Sequence, residues 1–143
     1  LLENKQVLET GKYILGKVNY HILDEIYSQT RHLILKHDPD IIVMEDSIGQ
    51  GFAPTRKKII ENSAMIKLAS IYLHKECKEI NTNRAFKHMI GKVIKGKKKK
   101  QTIEYINEYI EHSFENEEQS FKIDEHIADA ILLGLYYETI NSN

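Results

Sequence analysis

Ile41-Ile42-Val43-Met44-Glu45 is the stretch that decides the fold. Its four apolar residues run without a polar break, three of them are β-branched, and the run is too short for a helix. Such a segment suits a central strand covered on both faces. Ahead of it, Pro39 stops the preceding helix, because proline has no N–H to give and its ring crowds the turn before. Toward the N-terminus, Asn19 to His37 carries Ile22, Ile26, Tyr27, Leu33 and Ile34 near a 3.6-residue period, with Asn19 placed to cap the helix. Earlier still, Leu1–Leu2 and Gln6–Ile14 read as strands about a turn at Glu3–Lys5, the second weakened by Gly11.

On the other side of the strand, Asp46 to Thr55 holds Gly49, Gly51 and Pro54, which is loop chemistry. A helix is predicted from about Thr55 to Lys78, with Ile59, Ile60, Met65, Leu68, Ala69, Tyr72 and Leu73 facing inward. A short strand follows near Ile80–Thr82, then one or two helical turns over Arg84–Ile90. Gly91 to Lys100 is a glycine-and-lysine loop, and Gln101 to His112 an amphipathic helix striped by Ile103, Ile106 and Ile110. An acidic connector, Phe114 to Lys122, leads to a last helix over Ile123–Ile140 that is apolar nearly all round. Interleaved strands and helices predict an α/β fold, a mixed central sheet with helices on both faces, built as a single domain over residues 1–143.

The 143 residues can bury one core, and 41% hydrophobic with 29% charged residues excludes a disordered chain. No apolar run is long enough to span a bilayer, so no membrane partner is expected. The lone Cys77 can form no internal disulfide and has no CxxC partner for zinc, which fits a reducing cytoplasm. The net charge of −1 hides a segregation. Arg84 to Ile103 holds eight bases and no acid, whereas Glu104 to Glu125 holds eight acids and one lysine. Such a split can set a polyanion-binding loop beside an acidic face.

Glu45 ends the apolar strand, and Asp129 sits between Ala128 and Ala130 in the apolar last helix. Both are places where an uncompensated carboxylate is costly. A divalent cation offers compensation, since Mg²⁺ prefers carboxylate oxygens. His126 lies one turn before Asp129 on the same helix face. The alternatives are a solvated strand end or an N-cap acid in the following loop for Glu45, an ion-paired core acid for Asp129 (though its own helix supplies no base), and a satisfied or exposed histidine for His126. Asp124 and Glu125 read as first-turn acids favoured by the helix dipole. The lysine run is either a solvated surface or a mobile phosphate-contacting loop, and its flanking Gly91 and Gly96 favour the second. Phe52 is a loop anchor or a base-step wedge. Tyr105, Tyr109, Tyr136 and Tyr137 read as core-edge residues rather than base-stacking platforms.

Taken in order, Pro39 to Glu45, the helix Asn62–Tyr72 with its small residues, Phe86-Lys87 with Gly96 and Lys100-Gln101-Thr102, and His126-Ile127-Ala128-Asp129-Ala130-Ile131 resemble the RuvC-type Holliday-junction resolvases. The resemblance covers roughly the last hundred residues and implies an RNase H-like fold, a phage or bacterial member, and a cytoplasmic setting in the bacterial cell or infected host. It implies a homodimer that binds four-way DNA junctions and nicks two strands by two-metal phosphodiester hydrolysis. It makes Glu45, His126 and Asp129 the catalytic and metal-binding residues, with two Mg²⁺ ions per site. His126 stands where many members have Asp and shifts preference toward Mn²⁺. It makes Lys87, Lys95, Lys97, Lys98, Lys99 and Lys100 the DNA-binding residues. The family's first acid, on a strand ahead of the hairpin, has no match here, and the opening at Leu1 reads as the second strand, with the first expected upstream. Three other readings stand beside this one: a nuclease for forks or flaps, a non-catalytic DNA-binding module of the same fold, and a helix-rich interaction protein with a solvated lysine loop.

Overall fold

The computed structural model describes residues 1–13, 22–46, 53–113 and 123–142. In chain order these form strands β1 (Leu2–Glu3) and β2 (Gln6–Val7), helix α1 (Ile22–His37), strand β3 (Ile41–Glu45), helix α2 (Ala53–Tyr72), strand β4 (Glu76–Ile80), and helices α3 (Thr82–Met89), α4 (Lys98–Ser113) and α5 (Glu125–Asn141). The class is mixed α/β. Among the described residues there is no single central sheet: β1 pairs antiparallel with β2, and β3 pairs in parallel with β4. The chain divides into two compact units, one made of residues 1–12 and 80–143, the other of residues 13–79. None of the described helices is long and apolar enough to cross a membrane.

The first unit is closed by the β1–β2 hairpin. Its two-residue turn, Asn4-Lys5, has positive φ at both positions (50° and 63°), the handedness that matches the twist of paired strands. Lys5 N–H donates to a Glu138 carboxylate oxygen at 2.5 Å, and Tyr109 Oη donates to Lys5 O at 2.6 Å, so the turn is bonded to α5 and α4. The strand expected over Gln6–Ile14 ends at Val7. Val7 enters the core with Phe86, Ile106, Ile110, Ala128, Ile131, Leu132 and Leu135. The expected stripe of α4 and the apolar girth of α5 therefore meet here, and α3 packs on α5 beside them. Asn81 caps α3 by accepting from Arg84 N–H at 3.1 Å, which places a cap where a strand was expected at Ile80–Thr82.

In the second unit α1 and α2 pack on each other. Helix α1 ends on Asp38, at φ 44°, whose N–H donates to Ile34 O at 2.8 Å, and Pro39 then forbids continuation. Helix α2 ends at Tyr72, short of the expected Lys78. His74 at φ 55° sends its N–H to Ile71 O, and Lys75 sends its own to Ser70 O at 2.8 Å, a double-bonded helix stop in which histidine fills a place usually taken by glycine. That stop frees Glu76–Ile80 to form β4, four residues earlier than the sequence suggested. Pro54 and Thr55 belong to the first turn of α2, where proline's missing N–H costs nothing.

Ile41, Ile42 and Val43 are half-buried rather than enclosed on both faces, since β3 has a single partner among the described residues. Leu33 on α1 and Ile60, Leu68 and Tyr72 on α2 are exposed, contrary to the inward face read from the period. Helix α2 carries apolar residues on more sides than one partner helix covers. The cap at Asn19, the loop with Gly49, Gly51 and Phe52, the far end of the second strand at Ile14 and the acidic connector from Phe114 to Lys122 lie outside the described residues.

Candidate nucleic-acid interface and acidic residues

The basic segment spans the end of α3, a connecting loop and the first turn of α4. Two glycines shape the loop: Gly91 ends α3 at φ 106°, and Gly96 stands at φ 75° in a turn closed by Lys97 N–H to Ile94 O at 2.9 Å. The Gln101 side chain bonds this loop twice. Its Oε1 accepts from Ile94 N–H at 2.9 Å, and its Nε2 donates to Lys92 O at 3.1 Å. The expected mobile loop is thus hydrogen-bonded to the helix that follows it, and it ends at Lys97. Lys98, Lys99 and Lys100 are helical, correcting the loop boundary at Lys100.

The six lysines singled out in the sequence fall into two groups. Lys87, Lys95 and Lys97 are exposed and form no ion pair among the described residues, as does Lys92. The helical three are engaged. Lys98 Nζ donates to Asn83 Oδ1 at 2.6 Å and lies 5.6 Å from the Phe86 ring centroid, a cation–π distance. Lys99 Nζ stands 2.7 Å from Glu125 Oε2, and Lys100 stands 3.6 Å from Glu104 one turn on. Three lysines in a first turn with no acid oppose the helix dipole; Glu125 and Glu104 supply countercharge to Lys99 and Lys100, and Asn83 and Phe86 hold Lys98.

Helix α5 begins beside this basic turn. Asp124 is its N-cap, not merely a first-turn acid: it accepts from Ile127 N–H at 2.9 Å, and Lys12 Nζ reaches its other oxygen at 2.9 Å. The backbone N–H, then Lys12, hold its carboxyl below the ordinary range. Glu125 is also lowered, chiefly by the hydrogen bond from Lys99, and Lys99 is raised by the same bond. His126 is exposed, with Nε2 3.5 Å from Glu125 Oε1.

Asp129 is half-buried, its own helix offers no lysine or arginine, and its charge is the smallest of the influences that raise Lys99 on α4. Glu45, at the end of β3 in the other unit, is exposed. The high cost of burial inferred from sequence therefore applies to Asp129 in part and to Glu45 not at all. Within each unit, among the described residues, no group of three or more His, Cys, Asp or Glu side chains could hold a metal ion. What α5 presents is a two-donor set, an imidazole nitrogen and carboxylate oxygens one turn apart, of the kind Mg²⁺ or Mn²⁺ accepts in part. Gln101, Asn83 and Glu125 were missed as organisers of the basic segment. Of these, only Glu125, an acid in a first turn following a lysine run, carried a readable charge signal. Tyr109 and Tyr136 hold the hairpin and α3 respectively, the latter through an edge-on contact with His88 at 5.2 Å, as core-edge residues do.

No model of a known protein family matches the chain, and no curated protein matches it.

Proposed function

We propose that this chain belongs to a divalent-metal-dependent DNA endonuclease of RNase H-like fold that acts on four-way or related branched junctions. The observation that carries the reading is the adjacency, within one unit, of a basic phosphate-binding segment and the α5 turn bearing His126 and Asp129, joined by the Lys99–Glu125 pair. Lys87, Lys92, Lys95 and Lys97 contact backbone phosphates, which fix register on the nucleic acid without reading sequence. On this reading Asp129 and His126 on α5 are ligands for Mg²⁺ or Mn²⁺, and Glu45 on β3 is a further metal-binding carboxylate. A divalent metal held by these residues would supply Lewis-acid activation of water and charge stabilisation for phosphodiester hydrolysis. A homodimer presents two such sites, related by symmetry, to the two strands that are nicked.

One observation favours a second reading, a non-catalytic DNA-binding module. Lys99 already places an ammonium on Glu125, one turn before Asp129, supplying there a countercharge of the kind a cation would bring.

The deciding experiment incubates the full-length protein with a labelled four-way junction, a fork and a matched linear duplex, in Mg²⁺, in Mn²⁺ and in chelator. Paired nicks on the junction that need metal and vanish in Asp129→Asn and Glu45→Gln support the resolvase. Equal cutting of forks widens the substrate class. Junction binding without cutting in any metal, unchanged in both variants, establishes the binding module instead.

A further inference from the structure

The loop between α3 and α4 has an apolar tip that phosphate binding does not explain. Val93 and Ile94 are 44% and 53% exposed, and they lie between Lys92 and Lys95. Two aliphatic side chains held in water inside a lysine-rich segment gain nothing from a duplex backbone, whose outer surface is charged sugar-phosphate. They gain from an apolar face presented next to phosphate. Unpaired nucleotides present that combination, because a base out of its stack exposes a flat apolar surface within a few ångströms of its own backbone charge.

The tip is also held in place rather than left to collapse on the core. Gln101 fixes it at two points, Ile94 N–H at 2.9 Å and Lys92 O at 3.1 Å, one on each side of Val93. The Gly96 turn, closed by Lys97 N–H on Ile94 O, fixes the other flank. A loop organised before binding loses less conformational freedom on contact. Lys92, Lys95 and Lys97 surround the apolar pair and form no ion pair among the described residues, which leaves their charge for a polyanion.

We infer that the Gln101-clasped loop, residues 92–97, is a contact site for unpaired nucleotides, in which Val93 and Ile94 pack on exposed base faces while the flanking lysines hold phosphates. The inference rests on the α3–α4 segment being a DNA contact, and it adds what that reading lacks: a physical reason for preferring a branch point, where bases are unstacked, over continuous duplex. Gln101 is a positioning residue here, acting through the loop it clasps.

The test compares the full chain with Val93→Ser/Ile94→Ser and with Gln101→Leu. Binding is measured by fluorescence anisotropy to a labelled single-stranded oligonucleotide, to its blunt duplex, and to vesicles of mixed phosphatidylserine and phosphatidylcholine. Wild type is expected to prefer the single strand. The double serine variant should lose about tenfold in single-strand affinity, the size expected for uncovering two half-buried aliphatic groups. Its duplex affinity and its salt slope should be unchanged. Gln101→Leu should weaken single-strand binding and speed hydrogen exchange at the Ile94 amide, while the melting temperature holds. Equal affinities of wild type and the serine variant for the single strand overturn the inference and leave the DNA-binding reading intact. Failure of wild type to bind either oligonucleotide overturns both. Vesicle binding that depends on Val93 and Ile94, without single-strand preference, overturns it in favour of a membrane surface.

Discussion

Lys99 Nζ and Glu125 Oε2 stand 2.7 Å apart, linking the first turn of α4 to the first turn of α5. The bond lowers the Glu125 carboxyl and raises the Lys99 ammonium. For the carboxylate, the stabilisation is present above its unfolded-state value and lost as pH falls through the depressed folded value. For the ammonium, it is present below its unfolded-state value and lost as pH rises through the raised folded one. The pair is thus fully formed between the ordinary carboxylate and lysine ranges. Lys99→Met should return the Glu125 titration, followed by carboxyl NMR, to the ordinary glutamate range. An unmoved midpoint would show that the two groups do not meet in solution.

The lysines should separate by salt dependence. Each phosphate contact contributes roughly 0.9 to the slope of log affinity against log salt on duplex DNA. Replacing Lys95 and Lys97 together with Ala should therefore flatten the slope by about 2 units. Replacing Lys99, already engaged by Glu125, should change it far less. Identical slopes for the two variants would remove the distinction between exposed and engaged lysines.

Leu2 and Gly134 form a close approach between β1 and α5: a Cβ added at Gly134 would overlap the Leu2 Cδ1 methyl. Alanine in a helix is favoured over glycine by roughly 1 kcal/mol. Gly134→Ala should show that gain in a Leu2→Ala background and lose it when Leu2 is present. Urea denaturation of the four proteins in this cycle measures the coupling. Additivity would mean that Leu2 turns aside at no cost.

Stability should be concentrated in the first unit. Phe86 and Leu132 are fully buried there, and truncating either to Ala should cost about 3–5 or 2–5 kcal/mol respectively. In the second unit the buried hydrophobics among the described residues are Ile26, Ile34, Met44 and Ala69. Amide hydrogen exchange should accordingly be slowest in α5 and α4 and faster in α1 and α2. The reverse order would contradict this division of the core.

Cys77 lies against Met44, with Sγ 3.4 Å from its sulfur, and burial raises its thiol above the ordinary range. The folded state then favours the neutral thiol, so stability falls as pH rises past the unfolded-state value. Labelling by a thiol reagent should be slow in the native protein and accelerate on unfolding. Native labelling as fast as that of a free thiol would place Cys77 in solvent.

The helices were readable from sequence because their signals are local. Ile103, Ile106 and Ile110 mark α4, the apolar run of α5 marks its burial, and Pro39 marks the end of α1. The end of α2 was not readable, since its stop depends on His74 adopting a positive φ that no glycine announced. Nor were the strand partners, because the Ile41–Met44 run looks the same whether one neighbour or two flank it. Glu45 and Asp129 were legible as acids in apolar settings, with His126 one turn before Asp129, but the lysine that pairs with the neighbouring Glu125 on α5 comes from another helix, and sequence spacing carries no trace of it. The same holds for Gln101, whose bonds reach back to Lys92 and Ile94.

The hairpin at Leu2–Val7 belongs with residues 80–143, although residues 13–79 intervene. Its Lys5 bonds to Glu138 and Tyr109, across 133 and 104 residues of chain. During synthesis the contiguous unit is available to fold as soon as Glu79 has left the ribosome, while the hairpin must wait for α4 and α5 to emerge. Val7 and Leu2, which the hairpin later buries against α5, are exposed through that interval. A nascent chain stalled before α5 therefore displays a short, sticky strand pair without its cover, and it is the translation of α5 that supplies that cover.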